Sequence, residues 1–236
     1  MPAYLEFILE FGARNNPTDA RFSGVRDQIV LHDPTPGPII SALGRSGRHF
    51  QLCYSLSRVR PNEDDEEGLD MSKWVFNQAA VYHRFDVDNG TVLWVVTQAG
   101  LDLQQRYKIL TGPNGRPEDK TFDTPIHSLR SSLSAHLMYC HWSTESWHGY
   151  LRAIHAECDR TMHGAEYSPL HIEWLQEFQE KASVATMVIK ANSETVASLR
   201  LFYTRLENTS DLPDSLREKA MMASFCNCPE PNSSTA

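Results

Sequence analysis

From residue 170 to residue 212 the chain contains neither proline nor glycine, and nothing else in the sequence restricts the fold so tightly. Within that run Leu175, Phe178, Ala182, Ala185, Ile189, Asn192, Val196, Leu199, Tyr203 and Leu206 recur at alternating steps of three and four residues. Such spacing sets side chains along one stripe of an α-helix, in the a/d pattern of a coiled-coil seam, here for more than four heptads. Ser168-Pro169 supplies a cap and a first-turn proline at its start. The run is about twice the length of an ordinary globular helix. Asn192 is its polar member, and an Asn in a seam fixes register or oligomeric state at a cost in stability. Ala182 and Ala185 permit close backbone approach. Packing across the chain's own domain and pairing with a helix of another copy or another protein satisfy the seam equally well.

Ahead of this helix the pattern is that of a sheet. Phe50, Leu52, Tyr54 and Leu56 alternate with smaller or polar residues, the period of a half-buried strand. Residues 80–87 and 91–97 flank Asp88-Asn89-Gly90, and Asn-Gly suits a turn with positive φ, so 78–98 reads as a β-hairpin. On its first arm Val81, His83, Phe85 and Val87 share one face, and Tyr82, Arg84 and Asp86 the other. The more continuously apolar second arm is predicted to be a central strand covered on both faces. Thr124-Pro125 then opens a helix carrying Ile126, Leu129, Leu133 and Leu137, predicted to break at His141-Trp142-Ser143. A second helix carries Trp147, Tyr150, Leu151, Ile154 and Cys158 and stops at Gly164. These elements predict an α+β fold: a central sheet packed by helices and ending in a long C-terminal helix. The expected division is an irregular segment over 1–49, an α/β core over 50–165, the long helix over 166–212, and a short helix with a disordered tail over 213–236.

Composition excludes several classes. A net charge of −8 argues against a general nucleic-acid surface, which needs clustered Lys and Arg. Five cysteines, an odd number with the first four far apart, form no disulfide framework and suggest a reduced, intracellular setting. Cys226-Asn-Cys228 lacks the other ligands of a zinc site. The N-terminus has no basic region or cleavage pattern, no stretch of ~18 apolar residues spans a bilayer, and the C-terminus is no prenylation box. A cytoplasmic protein follows, placed at the cytoplasmic face of a membrane if the chain is part of a longer one.

No motif declares a catalytic chemistry. The acidic stretch 61–70 lacks the alternating ligands and closing Glu of an EF-hand. Nucleophile elbows and phosphate-cradling glycine loops are absent. Six of ten histidines lie between His136 and His171, and His141, His148 and His155 recur every seven residues. That step separates two rings by about 10 Å along a helix, too far to share one ion. Trp142, Trp147, His148 and His155 remain a candidate pocket lining, in case the fold serves an enzyme.

Several segments together resemble the soluble domain of fungal proteins classed as CorA-like transporters. They are Phe50-Gln-Leu-Cys-Tyr54, Trp74, Asn77 through His83 to Asp86, Trp94-Val-Val, Ser134-Ala-His136, and Trp142 through Trp147 to Leu151, with the long helix carrying Leu175 and Asn192. The resemblance implies a cytoplasmic α/β domain whose long helix descends toward a membrane pore. In that family pore-forming chains assemble as pentamers and conduct magnesium or related divalent cations, with Gly-Met-Asn closing the pore helix. This sequence has no Gly-Met-Asn. Magnesium is therefore implied by resemblance alone, and no other cofactor is indicated. The function expected is a regulatory or assembly domain without the pore, or an interaction module that docks a partner helix on the 175–206 seam.

Overall fold

Two antiparallel strands of 13 residues each form the spine of the molecule: β2, His49–Pro61, and β3, Trp74–Asp86. They pair along their whole length, from His49 opposite Asp86 to Pro61 opposite Trp74. A short edge strand, β1 (Val25–Val30), pairs with the first half of β2, and β4 (Val92–Gln98) pairs with the second half of β3. The sheet is thus a four-stranded antiparallel meander in the order β1-β2-β3-β4. The computed structural model describes residues 4–8, 24–31, 39–61, 73–98, 101–163 and 169–218. Its helices are α1 (residues 4–8), α2 (Asp102–Leu110), α3 (Pro117–Lys120), α4 (Pro125–Thr144), α5 (Trp147–His163), α6 (Pro169–Glu207) and α7 (residues 214–218).

Alternation along the strands decides what each face does. Phe50, Leu52, Tyr54 and Leu56 of β2 lie opposite Phe85, His83, Val81 and Ala79 of β3, and Val92, Trp94 and Val96 of β4 continue the same face. Against it pack Leu129, Ala135, Tyr139 and Trp142 of α4 and Leu199, Phe202, Tyr203 and Leu206 of α6, with Leu212 and Leu216 closing one end. On the opposite face Cys53, Ala80 and Tyr82 are covered by Tyr4 and Phe7 of α1, and Tyr4 Oη shares a 2.7 Å hydrogen bond with Thr97 Oγ1.

The hairpin and its turn form where the sequence places them. Gly90 adopts φ +67° at the turn, and a Cβ there would lie 2.6 Å from Pro125 Cα, so the hairpin tip seats directly on the start of α4. Thr124 caps α4 by accepting from the His127 amide, with Pro125 in the first turn. Both features are local, which is why the sequence discloses them.

Three expectations are corrected. The second hairpin arm, β4, is an edge strand and not a central one. Its unbroken apolar run reflects cover on both faces, because Val92, Trp94 and Val96 meet the helical layer while Val95 meets the residues of α1. The segment 1–49 is not irregular throughout, since it holds α1 and β1. The middle of β1 is Arg26-Asp27-Gln28, so it is held by backbone pairing to β2 and by an Arg205–Asp27 ion pair at 2.7 Å, not by a burial pattern that hydropathy could show. The helix expected to break at His141-Trp142-Ser143 runs on to Thr144. Ser143 Oγ and Thr144 Oγ1 bond back to the carbonyls of Cys140 and His141, so neither hydroxyl is used to start a new helix. The corner falls at Ser146, with φ +65°. The expected stops at Gly164 and Ser168 lie outside the described residues.

At 39 residues, α6 is about 58 Å long, and its seam divides lengthwise. Ala185, Leu199 and Leu206 are buried in the chain's own core, with Val184, Val188, Thr195 and Phe202 joining them from beside the seam. Leu175, Ile189 and Val196, from the other file of the seam, are 52%, 39% and 39% exposed. Only Tyr203 of that file reaches the core fully.

Asn192 has a specific task. β1 ends opposite Tyr54, and just beyond it α6 reaches the β2 backbone at Ser55 and Ser57. The Asn192 amide meets that edge as a neighbouring strand would: Ser57 N–H donates to Oδ1 at 3.0 Å, and Nδ2 donates to Ser57 O at 2.6 Å. Thr195 Oγ1 adds a 3.4 Å bond to Ser55 O. A sheet edge offers its backbone for pairing, and here a side chain meets it at Ser57. Asn192→Leu is expected to leave both Ser57 groups unsatisfied and to cost about 2–4 kcal/mol, measured by urea unfolding. A change under about 0.5 kcal/mol would show that water replaces the clamp.

Candidate functional site

Two polar arrangements lie inside the helix–sheet interface. The first is made wholly of aromatic rings and hydrogen bonds. Tyr54 from β2, His83 from β3, Trp94 from β4 and His136 from α4 meet at one point. Tyr54 Oη is 2.7 Å from His136 Nδ1, and His136 Nε2 is 3.1 Å from His83 Nδ1. With the phenol donating, His136 carries its proton on Nε2 and donates to His83, whose own proton then sits on Nε2. That Nε2 is buried and has no partner among the described residues. The His83 ring stacks on Trp94 with centroids 4.1 Å apart and planes 17° from parallel.

Burial governs the protonation of this group. It pushes His136 down to about 3. His83 is driven well below the ordinary histidine range, by burial first and then by His136 beside it. Both rings are neutral in the folded state at neutral pH. The unfolded chain binds these protons below about pH 6.5 and the folded chain does not, so stability is full above that value and falls as pH drops toward the folded values. Each histidine contributes a slope of about 1.4 kcal/mol per pH unit in that window. Between pH 7 and pH 5 the pair is expected to cost about 4 kcal/mol of unfolding free energy, measured by urea titration at the two pH values. His49, also lowered by burial, adds to the same trend.

The second arrangement is a ring of four charges at the far end of β2. Arg58 lies in phase with Phe50, Leu52, Tyr54 and Leu56, so its guanidinium enters the interface, 5.1 Å from the Trp142 ring centroid. It meets Asp102 Oδ2 at 2.7 Å and Glu145 Oε2 at 3.3 Å. Arg106 binds the same two carboxylates, Asp102 Oδ1 at 3.1 Å and Glu145 through both terminal nitrogens at 2.5 and 2.7 Å. Trp142 Nε1 donates to Asp102 Oδ2 at 2.8 Å. Burial by itself would raise the Asp102 carboxyl, but the Trp142 indole and the two guanidiniums override it and hold it below the usual range. The ring joins β2 to α2 and to the corner between α4 and α5, and its formal charges cancel. Arg58 is nearly buried, and its loss would leave two carboxylates sharing one cation. Arg58→Met is expected to cost about 2–3 kcal/mol and the more exposed Arg106→Met about 1 kcal/mol in urea unfolding. Equal costs would mean that burial of Arg58 does not matter.

The residues singled out as a pocket lining face different surroundings. Trp142 is buried beside Arg58, whereas Trp147 packs on Phe76 and Tyr150 and donates Nε1–H to Ser143 O. His148 is exposed, and His155, also exposed, pairs with Asp159 at 2.9 Å. Burial raises the thiols of Cys53 and Cys140 to about 11, which keeps both protonated and poor as nucleophiles at neutral pH. Among the described residues no group of three His, Cys, Asp or Glu side chains is placed to hold a metal ion. The acidic stretch 62–70 and Cys226-Asn-Cys228 lie outside the described residues.

The two arrangements were legible only in part. An arginine in phase with four apolar strand residues signals a buried charge, and Asp102 with Arg106 is an i, i+4 pair. The partnership of His83 with His136 has no sequence signal, because the two lie 53 residues apart.

The fold and site define an α+β domain with a four-stranded antiparallel meander, a helical layer on one face, and a long terminal helix closing the sheet edge. A model of the family described as CorA-like transporters matches residues 1–166, more than two thirds of the chain, and the chain belongs to the CorA-like family. No curated protein and no solved structure matches it. The matched stretch holds Tyr54, His83, Trp94 and His136 and the whole charged ring, while α6 lies beyond it. No helix among the described residues is long and apolar enough to cross a membrane.

Proposed function

We propose that this chain acts as a soluble regulatory or assembly domain of the CorA-like kind and uses α6 as its contact with another helix, from a second copy or from a separate protein. The observation that supports this is the division of the α6 seam. One file of the seam is consumed by the chain's own core, and the other leaves Leu175, Ile189 and Val196 open along the helix. A helix needed only for internal packing keeps its outward file polar. Ala182, Ser183, Thr186 and Ser193 flank the open residues and leave room for a close neighbour. Membership of the CorA-like family supports assembly over catalysis, and the proposal places the domain in the cytoplasm.

The two files give a direct test. Ile189→Glu with Val196→Glu is expected to abolish association in sedimentation velocity without lowering Tm, because both side chains stand outside the core. Leu199→Asp is expected to unfold the domain, because it buries a charge among Phe202, Tyr203 and the sheet. A wild-type chain that stays monomeric and captures no partner helix, with the double variant indistinguishable from it, would sink the reading. Divalent-cation sensing is the narrower part of the proposal. It predicts a rise in Tm in millimolar magnesium by binding linkage, and an unchanged Tm at saturating magnesium removes it.

A further inference from the structure

The His83–His136 pair has a consequence that goes beyond assembly. The pair joins layers: His136 belongs to α4, while His83 and Tyr54 belong to the two central strands. Every element packed on it contributes neutral groups. From β2 come Tyr54 and Phe50, from β3 Phe85, from β4 Trp94, from α4 Tyr139 and the nearby thiol of Cys140, and from α6 Tyr203. No carboxylate, lysine or arginine among the described residues acts on either ring, so no counter-charge waits for a proton.

We propose that the His83–His136 pair is an acid trigger for the α4–sheet interface: when both rings take up protons, α4 loosens from β2, β3 and β4 while the strands and helices persist. The closed interface has no place for either proton. A first one would share the 3.1 Å contact between the two ring nitrogens, buried and with no counter-charge among the described residues. The second is excluded outright. It would set two cations in ring-to-ring contact and remove the acceptor that holds the pair together. The strain is released by separating the layer that carries His136 from the layer that carries His83. The Asp102 carboxylate of the charged ring, further along β2 at Arg58, is held below its ordinary range by the Trp142 indole and the two guanidiniums and stays ionised as the histidines protonate. That ring, the β2–β3 pairing and the Asn192 clamp therefore outlast the trigger, and the opened state remains compact with its secondary structure.

The full chain is followed from pH 7.5 to pH 4.5 by near-ultraviolet circular dichroism and tryptophan emission, which report packing at Trp94 and Trp142, and by far-ultraviolet dichroism. The expected result is loss of the near-ultraviolet signal at a higher pH than the far-ultraviolet signal. Two protons taken up together make the opening constant rise by up to about 100-fold per pH unit. His136→Gln retains a hydrogen-bonding amide beside Tyr54 and cannot ionise, so its rise is expected to fall to about 10-fold per unit with a lower midpoint. Coincident loss of the two signals overturns the proposal, and so does a His136→Gln profile equal to that of the wild type. Should His136→Gln fail to fold, amide exchange of the wild type decides the matter. Exchange over 129–139, corrected for intrinsic rate, accelerates about 100-fold per unit while the β2–β3 amides hold if the trigger exists, and both groups accelerate together if it does not.

Discussion

The pairing of β2 with β3 is the constraint on which the other parts depend. Thirteen consecutive residue pairs make a ribbon about 43 Å long, far longer than β1 or β4 can cover. The short strands flank the same end, so among the described strands the other end is a two-stranded ribbon. Such a ribbon is marginal in water unless something packs on it and something closes its edge. The helices meet both needs. Tyr150 and Trp147 of α5 pack on Trp74, Phe76 and Val59, and Gly149 lets the Trp74 ring approach, since a Cβ there would lie 2.9 Å from it. Asn192 closes the edge, and the four-charge ring fastens the same end to α2 and α4.

The two polar arrangements meet β2 four residues apart, at Tyr54 and at Arg58, and differ in kind. The charged ring is partly open to solvent and balanced in sign, and its Asp102 carboxyl is held below the usual range. The histidine pair is sealed, neutral and without a counter-ion, so its stability depends on the absence of protons. A domain built on both has one interface that responds to acid and one that resists it. Leu175, Ile189 and Val196 of α6 lie outside both arrangements, which leaves contact with another helix and opening of α4 as separable events.

Particular residues show how far the sequence could be read. Gly90, Thr124 and Pro125 form what they encode, because turns and caps depend on neighbours a few residues away. The alternation in β2 and β3 places Phe50, Leu52, Tyr54 and Leu56 on one face with Val81, His83 and Phe85, as the period-two pattern requires. β1 is not visible in the sequence, because Arg26-Asp27-Gln28 carries no burial signal and the strand is held by pairing with β2 and by the Arg205–Asp27 ion pair. β4 was misplaced in the sheet order, because a continuous apolar run reports two-sided cover and not position. Helix α2 had no sequence reading, and its Asp102 and Arg106 acquire their partners from Arg58 and Glu145, 44 and 39 residues away along the chain.

The long helix shows where the division falls. Its existence, its approximate extent and its a/d stripe follow from local chemistry: the absence of Pro and Gly, and a spacing that any helix of this sequence must display. Which half of the stripe would be buried does not follow, because a periodic pattern is silent about what stands opposite it. The tertiary structure decided that Leu199 and Leu206 belong to the core, that Leu175, Ile189 and Val196 do not, and that Asn192 reads the edge of the chain's own β2. The physical reason is the β2 edge at Ser57, whose backbone N–H and C=O meet the Asn192 amide. It exists only once the sheet has formed, and it selects the rotation of α6 that brings an amide to it.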